Sequence, residues 1–148
     1  MKLAKALKLK NKLAGEVETL KDLLKKQNVR SKKQEFDYDN AEVLADLRAK
    51  VDELIRVKAA IAQANTAIYE RIFRAAELKG LVATLNSLDT RMGVHLEGGN
   101  YVERPVEVEY MAQLGKVEVD RLVAEFEKEI DSVQDELDEF NFTNEIAA

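Results

Sequence analysis

Leu3, Ala6, Leu13, Val17, Leu20 and Leu24 fall at alternating spacings of three and four once Lys10 is given one slot. That is the repeat of a heptad-like seam. The pattern returns in Leu44, Leu47, Val51, Leu54, Ile61 and Ile68, and again in Ile68, Ile72, Ala75, Val82, Leu85 and Leu88. It closes with Val119, Leu122, Phe126, Ile130, Val133, Leu137 and Phe140. A chain patterned this way has few options, because each apolar stripe must be buried against another helix. Pro105 is the sole proline, so the helices can run long. Aromatic residues make up 6% and charged residues 34%, which suits narrow stripes better than a thick core.

The spacing predicts helices over about 2–28, 40–65, 67–91 and 117–140, each near 25 residues and roughly 37 Å long. Gly15 costs its helix about 1 kcal/mol relative to Ala without breaking it. The stretch "VRSKKQEFDYD", residues 29–39, is polar and irregular. Asp39 then reads as an N-cap, with Glu42 as the other half of a capping box. Asn65, in "AAIAQANTAI", and Asn141, in "DELDEFNFTNEI", read as helix ends, since Asn tolerates the left-handed conformation that closes many helices. The chain then divides into two similar halves of helix, connector and helix, over about 1–66 and 67–146. Two alternatives stand beside this. One helix could run from about 40 to 91, and Asn65 could be a buried seam residue that fixes register. The fold expected is all-α, a single domain over 1–148. Its form is an antiparallel four-helix bundle of two helical hairpins.

One segment departs from the helical pattern. "RMGVHLEGGNYVERPVEVEYM", residues 91–111, holds the single His, the single Pro, three of the six Gly and two of the four Tyr. Gly98-Gly99-Asn100 is a turn signal. Val106, Val108 and Tyr110 alternate with Glu107 and Glu109, which argues for a strand. A β-hairpin over about 93–111 is therefore expected, with Pro105 at a strand start or edge. A lone hairpin is marginal in water, so a helix or another subunit should cover it. His95, Tyr101, Arg104 and Tyr110 form a candidate interaction patch, as Tyr and Arg are favoured at binding hot spots. The plainer alternative gives them packing and subunit contact alone.

Catalytic chemistry finds little foothold. With no Cys there are no disulfides, thiolate nucleophiles or thiolate metal sites. His95 with Glu97, Glu103 and Glu107 makes a weak metal set, lacking helical His/Glu spacing. "DYDN" at 37–40 opens like a calcium loop but lacks the Gly and Glu that complete one. Glu125, Glu129 and Asp135 avoid the apolar stripe of their helix, and one His cannot supply a di-iron site. No catalytic residue, metal or cofactor is expected.

Charge is distributed unevenly. Residues 1–33 carry eleven Lys/Arg against three Asp/Glu, near +8, while residues 117–148 carry eleven Asp/Glu against two Lys/Arg, near −9. Lys5, Lys8, Lys12, Lys25, Lys26, Arg30, Lys32 and Lys33 are a candidate polyanion-binding set. Alternatively the two segments pack together and neutralise. The opening "MKLAKALKLKNKL" has the basic flavour of a signal peptide, but Lys5, Lys8, Lys10 and Lys12 interrupt any apolar core. No run approaches the roughly 20 apolar residues of a membrane span. A cytoplasmic protein is expected.

The segments "MKLAKALKLKNKLAGEVETLKDLL", "LRAKVDELIRVKAAIAQANTA" and "IDSVQDELDEFNFTNEI" resemble the opening, second and last helices of the septicolysin-like family of small bacterial helical proteins. The resemblance covers most of the chain, and its distinctive motifs are the two Asn-containing ends. It implies a helical fold and carries over no catalytic residues. The family label implies a cytolysin, which would require an amphipathic helix to rearrange onto lipid. The function expected from the residues is a non-enzymatic helical bundle that acts as a homo-oligomer or through a protein partner. The alternatives are a nucleic-acid or polyanion module, a membrane-active protein, or a small-ligand protein with a pocket under the hairpin.

Overall fold

The computed structural model describes residues 1–98 and 104–147. In chain order the elements are α1 (Leu3–Lys26), α2 (Asn40–Asn65), α3 (Tyr69–Asn86), β1 (Gly93–Glu97), β2 (Val106–Tyr110) and α4 (Lys116–Thr143). The chain is mostly helical, with one two-stranded antiparallel sheet among the described residues. It forms two compact units, one of Met1–Tyr69 with the segment from Asp138 onward, the other of Glu70–Leu137.

In the first unit α1 and α2 are an antiparallel pair. The start of α2 meets the end of α1, where the Asn40 amide donates to the Leu24 carbonyl at 3.0 Å. Farther along, Lys50 meets Glu16 at 3.0 Å. The core joins Leu3, Ala6, Leu13 and Val17 of α1 to Leu47, Leu54, Val57 and Ile61 of α2, with Ile146 from the C-terminal segment. Full burial of a Leu such as Leu3 or Leu13 contributes about 1.5–3 kcal/mol.

The stripe of α2 holds Leu47, Leu54 and Ile61 as the repeat expects and departs from it at Leu44. Val43 and Val57 are buried, while Leu44 is 54% exposed. The observed seam, 43, 47, 54, 57 and 61, alternates four and three once position 50 is counted. Lys50 fills that slot half-buried, as Lys10 does in α1. Long amphipathic side chains occupy such slots by laying the stem on the seam and keeping the ammonium in water. The expected repeat and the observed seam therefore share Leu47, Leu54 and Ile61, and they part where Val43 and Val57 are buried in place of Leu44.

Helix ends depart from expectation in three places. No non-Gly residue among those described has positive φ, so neither Asn closes a helix in the left-handed conformation. α2 does end at Asn65, but Thr66 stays right-handed at φ −52°, ψ −38°, and Ile68 N–H donates to the Asn65 carbonyl at 2.9 Å. Asn141 lies inside α4, which runs on to Thr143. The end belongs instead to Asn144, whose side-chain amide donates to the Phe140 carbonyl at 3.0 Å. Phe140 packs against the α1–α2 core, so the helix is held through its position and leaves it only afterwards. α3 stops at Asn86, short of the expected 91. There Ser87 Oγ donates to the Thr84 carbonyl at 2.7 Å, and the Asp89 carboxylate accepts from Arg91 N–H at 3.0 Å. Such local side-chain bonds compete with helix continuation.

Beyond Asn144 the chain pairs with its own N-terminus. Leu3 N–H donates to the Asn144 carbonyl at 2.9 Å, and Ile146 N–H donates to the Met1 carbonyl at 2.8 Å. Lys2 and Glu145 form an isolated antiparallel bridge, reinforced by a 3.1 Å ion pair. This short pairing sets Ile146 into the core.

In the second unit α3 and α4 also run antiparallel, because Arg71 meets Glu136 at 2.7 Å and Arg74 meets Glu129 at 3.5 Å. Ala75, Leu78, Val119 and Val133 are buried, and Ile72, Val82, Leu122, Phe126 and Ile130 are half-buried. The two halves read in the sequence match these units only in part, since the residues from Asp138 onward return to the first. The hairpin joins α3 to α4 with Gly93 opposite Tyr110, Val94 opposite Glu109, His95 opposite Val108, Leu96 opposite Glu107 and Glu97 opposite Val106.

Candidate functional site

Directly opposed residues of an antiparallel pair project on the same side. One face of the hairpin therefore carries His95, Glu97, Val106, Val108 and Tyr110, and the other carries Val94, Leu96, Glu107 and Glu109. The first face is organised around Arg91. Its guanidinium grips Asp89 through Nε at 2.8 and 3.0 Å, and its Nη1 reaches Glu97 at 3.2 Å. It also lies over the Tyr110 ring, 4.1 Å from the centroid, in cation–π geometry. The Tyr110 hydroxyl donates to the Glu97 carboxylate. His95 meets the Tyr110 ring edge-on at 5.7 Å and bonds the Met92 carbonyl through Nε2 at 3.1 Å. Hydrogen bonding from Arg91 is the largest influence holding the Asp89 carboxyl below its ordinary value, and Asp89 in turn raises Arg91.

Of the expected patch, His95 and Tyr110 are thus brought together. Arg104 is exposed two residues before β2, and Tyr101 lies outside the described residues. Arg91 and Asp89, which build the cluster, were missed by sequence reasoning. Their signal was the D-x-R spacing just ahead of the strand, which lets a carboxylate and a guanidinium meet across a tight turn. Among the described residues no three His, Asp or Glu side chains converge as metal ligands, and Glu103 of the metal set lies outside them.

Among the described residues the other hairpin face is bare. Val94 is 61% and Leu96 67% exposed, and across the strand pair they meet only Glu109 and Glu107. Beside the hairpin Met111 is 88% exposed and Val117 is 86% exposed. Arg91 and Tyr110, which belong to the hairpin and its entry, pack on the first face, and among the described residues no helix covers Val94 and Leu96 on the other.

The basic set is dispersed. Lys5, Lys8 and Lys12 share one solvent side of α1, and Lys26 follows after Glu16, Thr19 and Asp22 interrupt the row. Lys12 sits 3.7 Å from Glu16. Arg30 pairs with Asp37 at 3.2 Å and lies over the Phe36 ring, which fixes the α1–α2 connector. Lys25, Lys32 and Lys33 are exposed near that connector. Neutralisation between the basic and acidic segments is carried at Lys2–Glu145, while Glu129 and Glu136 of α4 answer arginines of α3. A cleft of about 490 Å³ opens at the connector, lined by Gln27, Asn28, Phe36, Tyr38, Asp39 and Asn40.

The chain matches no family model, no curated protein and no solved structure. No helix among the described residues is long and apolar enough to cross a membrane.

Proposed function

We propose that this protein is a non-enzymatic, self-associating helical protein of the cytoplasm, related to the septicolysin-like family of bacteria, that works through contact with further copies of itself. The observation that carries this is the concentration of exposed apolar side chains on and beside the hairpin, namely Met92, Val94, Leu96, Val106, Met111 and Val117. Scattered exposed hydrophobics are ordinary, but Val94 and Leu96 share one face of a single strand, and apolar side chains grouped in that way mark an interaction surface. Sedimentation velocity from about 10 μM to 1 mM tests this, a span that resolves weak to moderate affinities. The sedimentation coefficient rises with concentration if the proposal holds. A single species at the chain mass of 16.7 kDa throughout would overturn it.

A second reading draws on the row Lys5, Lys8 and Lys12 on one solvent side of α1. That row would bind phosphates of a nucleic acid or other polyanion, with affinity falling steeply as salt rises. Mobility shift with single- and double-stranded DNA and RNA at low salt decides it. No shift at about 50 mM salt, where phosphate contacts are strongest, removes this reading.

A further inference from the structure

The two strands of the hairpin have unlike outer edges. β2 carries Glu107 and Glu109 and follows Pro105, which are devices that block strand addition. β1, with the sequence Gly-Val-His-Leu-Glu, carries no charge before Glu97, and all five of its residues are exposed.

We infer that the free edge of β1 pairs antiparallel with β1 of a second copy, extending the hairpin to a four-stranded sheet. This rests on the self-association proposed above and names the surface responsible. Three observations carry it. First, the register is self-complementary. With His95 on the two-fold axis, Val94 lies opposite Leu96 of the other copy, and Leu96 opposite its Val94. Second, charge discriminates between the edges. Pairing through β1 sets Glu97 opposite Gly93, where no side chain repels it. Pairing through β2 about Val108 would set Glu107 opposite Glu109 twice, and like charges in direct cross-strand pairs destabilise. Third, Gly93 has φ +83°, so the extended backbone ends there and slipped registers running back through Met92 are disfavoured. The new pair sets Val94 and Leu96 of the bare face side by side with Leu96 and Val94 of the other copy, which removes part of their apolar surface from water. A five-residue edge is small beside the roughly 1,200–2,000 Å² of a stable interface, so the association is weak and concentration-dependent.

The test uses the full chain, whose lack of Cys allows single-cysteine mapping. His95→Cys places two thiols on the axis, at a Cα separation of about 4.5–5.5 Å that a disulfide spans. Val108→Cys places two thiols on the corresponding axis of β2. Under mild oxidation His95→Cys is expected to form a covalent dimer at least about tenfold faster than Val108→Cys, and Leu96→Lys added to His95→Cys should abolish that advantage. Equal rates at 95 and 108, or indifference to Leu96→Lys, overturn the inference. Leu96→Lys in the otherwise natural chain is read by sedimentation, with far-ultraviolet circular dichroism confirming that the helices are intact. If the natural chain associates and Leu96→Lys associates equally, the β1 edge is refuted while self-association stands. If the natural chain is monomeric up to 1 mM, both fall.

Discussion

Leu13 is 1% exposed and Leu44 is 54% exposed, and that contrast decides what each contributes. Truncating Leu13 removes its transfer energy and leaves a cavity, so Leu13→Ala should cost about 2–5 kcal/mol by urea denaturation. Leu44→Ala should stay within about 1 kcal/mol, as surface changes do. A reversed order would show that the phase of the α2 stripe described above is wrong. Glu16 tests electrostatics at the same scale. Its carboxyl is held below its ordinary value of 4.5, first by hydrogen bonding from Lys50. A depressed carboxyl adds stability above its unfolded pKa and loses it as pH falls through the folded value. Glu16→Gln should therefore be less stable than the natural chain at pH 7, with the gap closing below about pH 4.5. A gap that does not change with pH across the acid range would assign the effect to packing. Exposed pairs of this kind contribute modestly and weaken with salt.

At the scale of elements, periodicity located every helix, but its ends were set by chemistry the pattern does not display. α2 begins as expected because Asp39 accepts from Ala41 N–H at 2.8 Å. Asp39→Ala should cost about 0.5–2 kcal/mol, measured by thermal unfolding, and no change would remove the cap from the account. α1 ends without a glycine cap. Tyr38 of the connector and Asn40 at the start of α2 bond the carbonyls of Leu23 and Leu24, a satisfaction that depends on residues more than a dozen positions away. The end of α4 was misplaced because an Asn was read as a stop, when the adjacent Phe140 is anchored in the core. The hairpin was legible from its period of two and its turn signal. Its Arg91 cluster was not, because register decides which side chains share a face. Arg91→Ala should free Tyr110 and broaden its ring resonances in NMR spectra, while unchanged Tyr110 shifts would mean that the cation–π contact does not order the face.

For the whole molecule the decisive feature lies at the chain ends. Ile146 is 7% exposed and is seated by its backbone bond to Met1 and by the bond from Leu3 N–H to the Asn144 carbonyl. No local pattern announces a contact between residues so far apart in sequence, and the heptad repeat itself ends at Phe140. Ile146→Ala should destabilise the first unit by about 2–5 kcal/mol and speed hydrogen exchange at the Leu3 amide. Exchange unaltered at Leu3 would show that the pairing of the ends does not depend on this side chain. Composition did anticipate a mostly helical chain with slender apolar stripes. Function was less legible, because the surface that carries the proposal is formed by a short strand edge, and its meaning appears only once its neighbours are placed. Hydrogen exchange at single-residue resolution, followed from about 10 μM to 1 mM, tests the central claim most directly, since it reads association and its location together. The β1 amides from Val94 to Glu97 should slow as concentration rises, while those in the middle of α1 and α2 stay protected throughout. Exchange at β1 that ignores concentration would contradict the account.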